Sequence, residues 1–222
     1  MPIGRIVRAD DSDYPCNLKG LPGAPERLFV AGSILVTDKL AIGVVGSRKM
    51  TDYGKRMATY FSRVLAECGV TVISGLARGV DTQAHKAALN AGGRTIAVLG
   101  SGLDVVYPPE NKGLFSKIIK NGSVITEFDY RTRPLAKNFL ARNRIISGLS
   151  LGVLVVEGKR RSGTLSTAAY AANQGREVFA IPGPIDSQLS EAPNYLIANG
   201  AVPVRSPEEI IGFLKQKVDM GC

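Results

Sequence analysis

The sequence predicts a doubly wound α/β fold, a mostly parallel sheet with helices on both faces, and three observations carry that expectation. Strand-sized apolar runs recur from Leu40 onward: AIGVVG, VTVISG, RTIAVLG, SVITEF, LGVLVVEG, EVFAIPG and the short AVPV. These runs are apolar on both faces, as strands covered by helices on each side must be. Helix-sized segments separate them, and a regular alternation of the two patterns builds βαβ units. The expected architecture is therefore Rossmann-like, and ligands of such sheets bind beyond the carboxyl ends of the strands.

Taken in order, residues 1–38 form an arm that carries Pro2, Pro15, Pro22 and Pro25, has little periodicity, and ends in a short strand at Leu28 to Val30. The arm is expected to pack on the core, residues 39–222. A helix is predicted over Tyr53 to Cys68, where Met57, Phe61, Val64 and Leu65 recur at spacings of three and four and Gly69 closes the last turn. Further helices are predicted over Asp81 to Asn90, closing near Gly92, and over Asn111 to Lys120, stopped by Asn121-Gly122. Two more run from Thr164 to Asn173, stopped by Gly175, and from Pro207 to about Val218. No internal repeat, low-complexity tract or flexible linker divides the chain.

With 222 residues, 45% of them hydrophobic, the chain suffices for one domain with a sizeable core. Its apolar runs fall far short of the roughly 20 residues that span a bilayer, and no signal-peptide pattern opens it. A soluble, cytoplasmic protein is expected. Cys16, Cys68 and Cys222 are scattered, and His85 is the sole histidine, so neither a zinc cluster nor a disulfide framework is expected. Twenty-eight Lys and Arg against nineteen Asp and Glu give a formal charge of +9, which points to a polyanionic partner if the cations cluster.

They do cluster at the predicted strand ends. After the first core strand stand Gly46, Ser47, Arg48 and Lys49, a glycine for close backbone approach followed by donors to an anion. After the second comes a glycine-rich loop, Ser74 and Gly75 through Gly79, with Asp81 placed to cap the next helix. After the fifth come Lys159, Arg160, Arg161, Ser162, Gly163 and Thr164, whose last two residues open a helix. Phosphate binding along one sheet edge is the expectation, although turn glycines and caps also occur in any α/β protein.

The stretch from Arg131 to Ser150 follows the fourth strand and joins this edge with Arg131, Arg133, Lys137, Arg142 and Arg144. Phe139, flanked by Lys137 and Arg142, is read either as a platform for a stacked base or as a core residue of the helix leading to Ile145 and Ile146. Asn143 lies between two arginines, and a base edge would satisfy its amide better than a core would. His85 and the carboxylates Asp81 and Asp104 are read as structural, since no nucleophile or metal-ligand spacing accompanies them.

Six motifs in fixed order, GVVGSRK, SGLARGVDTQAHKAAL, AVLGSGLDVVYPPEN, FLARNRIISGLS, VVEGKRRSGTLSTA and FAIPGPID, closely resemble the DprA/Smf family of DNA-processing proteins. The resemblance covers about residues 14–211. It implies a non-enzymatic, cofactor-free homodimer that binds and protects single-stranded DNA and loads the RecA recombinase in natural transformation. By motif, the strand-binding residues it implies are Gly46, Ser47, Arg48, Lys137, Asn138, Phe139, Arg142, Asn143 and Arg144. The dimer contact would fall around Tyr195, Leu196 and AVPV, and the recombinase contact around AANQGRE. Longer relatives carry flanking helical and winged-helix-like domains, so the resemblance implies that this sequence is either a minimal member or a piece of a longer protein.

Rival readings fit less well. A nucleoside-monophosphate phosphoribohydrolase of the related fold resembles PGGxGTxxE, whereas here Thr167 stands where the catalytic Glu would be and no Pro-Gly-Gly precedes Gly163. A dinucleotide oxidoreductase needs GxGxxG and an acidic residue at the end of the second strand; the chain reads GVVGSR, and that strand ends Ile73-Ser74-Gly75. A sensor of one small nucleotide would share the phosphate-binding edge, but the breadth of the basic surface argues against it.

Overall fold

The computed structural model describes residues 4–219, so Pro2 and Cys222 lie outside it. The strands are β1 (Arg5–Arg8), β2 (Arg27–Gly32), β3 (Ala41–Val45), β4 (Thr71–Ser74), β5 (Thr95–Val98), β6 (Gly122–Thr126), β7 (Gly152–Val155), β8 (Glu177–Ala180) and β9 (Val202–Pro203). The helices are α1 (Asp52–Glu67), α2 (Val80–Asn90), α3 (Lys112–Asn121), α4 (Ala136–Leu149), α5 (Gly163–Asn173), α6 (Glu191–Ala198) and α7 (Pro207–Asp219). All described strands join one sheet in the order β1-β2-β6-β5-β4-β3-β7-β8-β9. Every pairing from β6 to β9 is parallel, so the fold is the mostly parallel α/β sheet that the apolar runs predict.

Two elements differ from the sequence reading. The predicted strand at Leu28 to Val30 lies within β2, which pairs antiparallel with β6 in the register Phe29 to Thr126, and β1 adds a further edge strand outside it. In β1 only Val7 is buried, so there is no apolar run for a pattern search to find. The helix α6 was also not foreseen: its buried residues are Ala192 and Pro193 alone, and a proline in the first turn reads as a breaker although its missing N–H costs nothing there.

Each face of the sheet has its own core. One side chain set, with Ile42, Val44, Val72, Leu154 and Phe179, packs against Phe61 and Leu65 of α1, Ala84 of α2 and Leu214 of α7. The other, with Val45, Ile73, Ile96, Val153 and Val155, packs against Ile145, Ile146 and Leu149 of α4, Ala168 of α5, and Tyr14 and Leu18 of the arm. The strand order runs out from β3 in both directions, through β4 on one side and β7 on the other. A crevice between the loops that follow β3 and β7 is the consequence, since their helices leave to opposite faces. Among the described residues no helix is long and apolar enough to cross a membrane.

Candidate functional site

The crevice is a groove of about 780 Å³, walled by the loops after β3 and β7, by the first half of α4 and by the start of α5. Its first wall is the β3 loop. Gly46 is required there, because a Cβ would lie 2.7 Å from Val80, and the Ser47 hydroxyl accepts from the Lys49 amide at 3.0 Å. Beyond them Arg48 and Lys49 are exposed. The loop is anchored from below by Glu157, 2% exposed, whose carboxylate accepts from both the amide and the hydroxyl of Thr51, the residue that caps α1. A side chain on Gly54 would strike that carboxylate at 2.1 Å.

The β4 loop lies beside it, with Ser74 and Gly75 buried and the Ser74 hydroxyl donating to Val44 O at 2.7 Å. Asp81 does not cap its own helix as expected. The cap position of α2 is Gly79, and the Asp81 carboxylate instead accepts from the amides of Gly75 at 3.1 Å and Ala77 at 3.3 Å, fixing the loop that precedes the helix. Burial pushes the Asp81 carboxyl above the usual carboxylate range, against the lowering influence of Arg142. The Val80 amide donates to Ser47 O at 3.1 Å and ties the two loops together.

Phe139 is half-buried on α4. Its ring rests where a Cβ of Gly100 would be, 2.7 Å from Cδ1, with the Arg48 guanidinium 5.2 Å from its centroid and the Tyr107 ring at 5.7 Å. This is a cation and an aromatic pair in contact at the groove surface. Opposite, α5 opens at Ser162 with extended backbone and no side-chain cap; the Leu165 amide donates to Ser162 O at 3.2 Å, and the positive dipole end faces the groove. Lys159 and Arg161 are exposed at that end and line the groove, whereas Arg160 turns away to stack on Tyr195 at 4.5 Å.

Of the residues singled out from sequence, Gly46, Ser47, Arg48, Lys49, Phe139, Arg142, Asn143, Ser162, Gly163 and Thr164 come together around the groove. Ser74, Gly75, Lys137, Asn138 and Arg144 do not line it. Lys137 is exposed on the first turn of α4, while Asn138 is buried with its amide on Arg133 O at 3.3 Å. Three of these residues are occupied by the protein itself, contrary to the sequence reading. Asn143, 7% exposed, donates to Gly163 O at 3.2 Å, so its amide finds a backbone partner and not an open edge. Arg144 forms a bidentate pair with Glu127, both contacts at 2.6 Å, and donates to Gly23 O of the arm at 2.8 Å. Arg142 is 4% exposed and donates to Val98 O. Burial brings its guanidinium down to about 10, with Asp81 opposing and Arg48 reinforcing the shift.

Tyr107 is a groove residue that sequence reasoning passed over. It stands in the loop after β5, and the rule that ligands meet the loops beyond strand ends would have found it had it been applied to that strand.

The sequence pattern of the DNA recombination-mediator protein A family matches residues 5–215. The chain belongs to that family. Protein Smf of Escherichia coli strain K12 is 48% identical over 215 residues, which is 96% of this chain and 58% of that protein. The chain therefore spans little more than half the length of this relative. The crystal structure of DNA processing protein A from Streptococcus pneumoniae superposes with a TM-score of 0.89 at 42% identity, over 95% of this chain and 74% of that one. DNA processing protein A from Helicobacter pylori, a structure described for its single-stranded DNA binding mode, gives a TM-score of 0.84 at 27% identity, over 95% of this chain and 99% of that one. The recombination-mediator fold thus extends over almost all of this chain.

Proposed function

We propose that this chain binds single-stranded DNA in the groove beyond β3 and β7 and, as a homodimer in the cytoplasm, hands the strand to the RecA recombinase without catalysing a reaction itself. The observation that supports it best is the contact of Arg48 with Phe139, extended by Tyr107. A guanidinium neutralises a phosphate while the rings accept unstacked bases, a combination that suits a single strand and not a duplex. Arg48, Lys49, Lys159, Arg161 and the α5 amides hold phosphates, with Lys137 on the rim; Phe139 and Tyr107 stack bases. The binding unit is residues 39–222, with residues 1–38 as a supporting arm.

The family membership supports recombination mediation, and DNA taken up in natural transformation is the substrate we assign. A phosphoribohydrolase reading gains no support from Thr167, whose buried hydroxyl donates to Gly163 O at 3.4 Å.

The test is fluorescence anisotropy with labelled oligo-dT and the matching duplex over a salt series. Tighter binding of the single strand is expected, with an affinity that falls steeply with salt and drops further for Arg48→Ala. Equal affinity for both DNAs, or no loss in the variant, would sink the groove. Strand exchange by RecA on DNA coated with single-strand-binding protein, with and without this chain, tests the loading step, and sedimentation tests the dimer.

A further inference from the structure

We infer that Arg142 is the positioning residue of this groove: a buried cation that ties the ends of β4 and β5 together under the groove floor and holds the phosphate-facing loop and the stacking ring in place, without itself contacting a phosphate. The inference rests on the DNA-binding reading for its function, though not for its geometry.

The geometry is specific. Arg142 projects from α4 between two strand ends, and its Nη1 donates to Val98 O, the last residue of β5. Two residues later comes Gly100, on which Phe139 rests. The same guanidinium occupies the space of the missing Gly75 side chain, where a Cβ would fall 1.9 Å from Nη1 and 2.4 Å from Nη2. Gly75 in turn is held by Asp81, whose second amide partner is Ala77, and the same turn passes through Gly79 and Val80 to Ser47 O. A Cβ at Gly79 would sit 2.2 Å from that carbonyl. One side chain therefore reaches the seat of Phe139 through β5 and the backbone of Ser47 and Arg48 through the β4 loop.

A cation is required at this point, and an apolar residue of similar size would not serve. The Val98 carbonyl would lose its donor, and the Asp81 carboxylate would lose the positive charge that opposes its burial. A direct role on phosphate is disfavoured because the side chain is 4% exposed and its Nη1 is already engaged. Arg48, exposed on the groove surface, is the residue placed for that role.

Two roles for an arginine give different salt signatures. A lost phosphate contact flattens the dependence of log K on log salt by about 0.7 for a single strand, whereas lost positioning weakens binding at unchanged slope. The experiment compares wild type, Arg142→Met, Arg142→Lys and Arg48→Ala by oligo-dT anisotropy across a salt series, and by amide hydrogen exchange without DNA. For Arg142→Met we expect affinity to fall about tenfold or more with the slope preserved. Exchange at residues 75–79 and 99–103 should accelerate at least tenfold, while β7 and β8 keep their protection; Arg142→Lys should restore part of the loop protection. Arg48→Ala should flatten the slope and leave loop exchange as in wild type. A flattened slope in Arg142→Met, or loops protected as in wild type, would overturn the inference. Should wild type fail to bind oligo-dT, the DNA reading falls, and loop exchange in the two Arg142 variants still decides whether Arg142 holds the groove floor.

Discussion

Arg142 and Gly75 are fitted to each other, since a methyl group on residue 75 would lie 1.9 Å from Nη1 of Arg142. Gly75 has no positive φ, so an alanine there escapes the left-handed penalty and its main cost is steric. Gly75→Ala is expected to destabilise the protein by about 1–3 kcal/mol, the usual range for overpacking a filled site. In an Arg142→Met background the same change should cost less, because the flexible thioether yields where a hydrogen-bonded guanidinium cannot. Urea denaturation of the four proteins of this cycle measures the coupling; additive costs would show that the two residues do not share the space.

Arg144 belongs to the arm and not to the groove. Its pair with Glu127 is partly buried, with side-chain exposures of 21% and 18%, and its Nε holds Gly23 O. Arg144→Met strands the Glu127 carboxylate and releases the arm loop, so a stability loss of about 1–3 kcal/mol is expected. Trypsin should then cut faster at Lys19 while affinity for oligo-dT changes little. A tenfold loss of affinity with an intact arm would return Arg144 to the DNA-binding set.

His85 makes stability depend on pH. It is fully buried, and its Nδ1 lies 2.7 Å from the Thr95 hydroxyl, whose own hydrogen goes to Val72 O at 2.6 Å. Nδ1 is therefore the donor, and burial of the ring favours its neutral form. Burial, with the Arg142 charge second, lowers its pKa to about 3. Below the ordinary histidine pKa of about 6.5 the unfolded chain takes up a proton that the folded state refuses, so folding stability falls as pH drops from 6.5 toward 3. Asp81, whose carboxyl is pushed up, works in the opposite direction on acidification. The His85 contribution is isolated by comparison with His85→Gln: between pH 8 and pH 5 wild type should lose about 2 kcal/mol more than the variant. Equal losses in urea denaturation would show that folded His85 accepts the proton.

The central fold was legible because each of its strands is buried on both faces, which leaves runs such as LGVLVV in the sequence. Strand β1 was not, since one buried residue in four makes no pattern. At the site, Arg48 could be placed from the strand-end rule, whereas for Phe139 the sequence left a stacking platform and a core residue of its helix both open. The directions of Arg142, Asn143 and Arg144 could not, because consecutive residues on a helix point about 100° apart while charge alone says nothing of which faces the groove. Partners separated widely in sequence, such as Val98 for Arg142 and Gly23 for Arg144, decide those directions. Glu157 was invisible for the same reason: its partner Thr51 lies 106 residues away.

Tyr107 offers the most direct test of base stacking in the proposed groove. Tyr107 is 38% exposed, and its ring lies 5.7 Å from Phe139 at an interplanar angle of 49°, extending the aromatic surface toward the exposed Arg78 and Glu110 pair. Stacking of one base on such a ring is worth on the order of 1–3 kcal/mol, so Tyr107→Ala should weaken oligo-dT binding about tenfold, while Tyr107→Phe, which keeps the ring, should bind nearly as wild type. The chain contains no tryptophan, so Tyr107→Trp supplies a single reporter. Its emission should be quenched on addition of oligo-dT and restored by high salt, which releases the phosphates first. Unchanged emission at saturating oligonucleotide, together with wild-type affinity in Tyr107→Ala, would confine base stacking to Phe139.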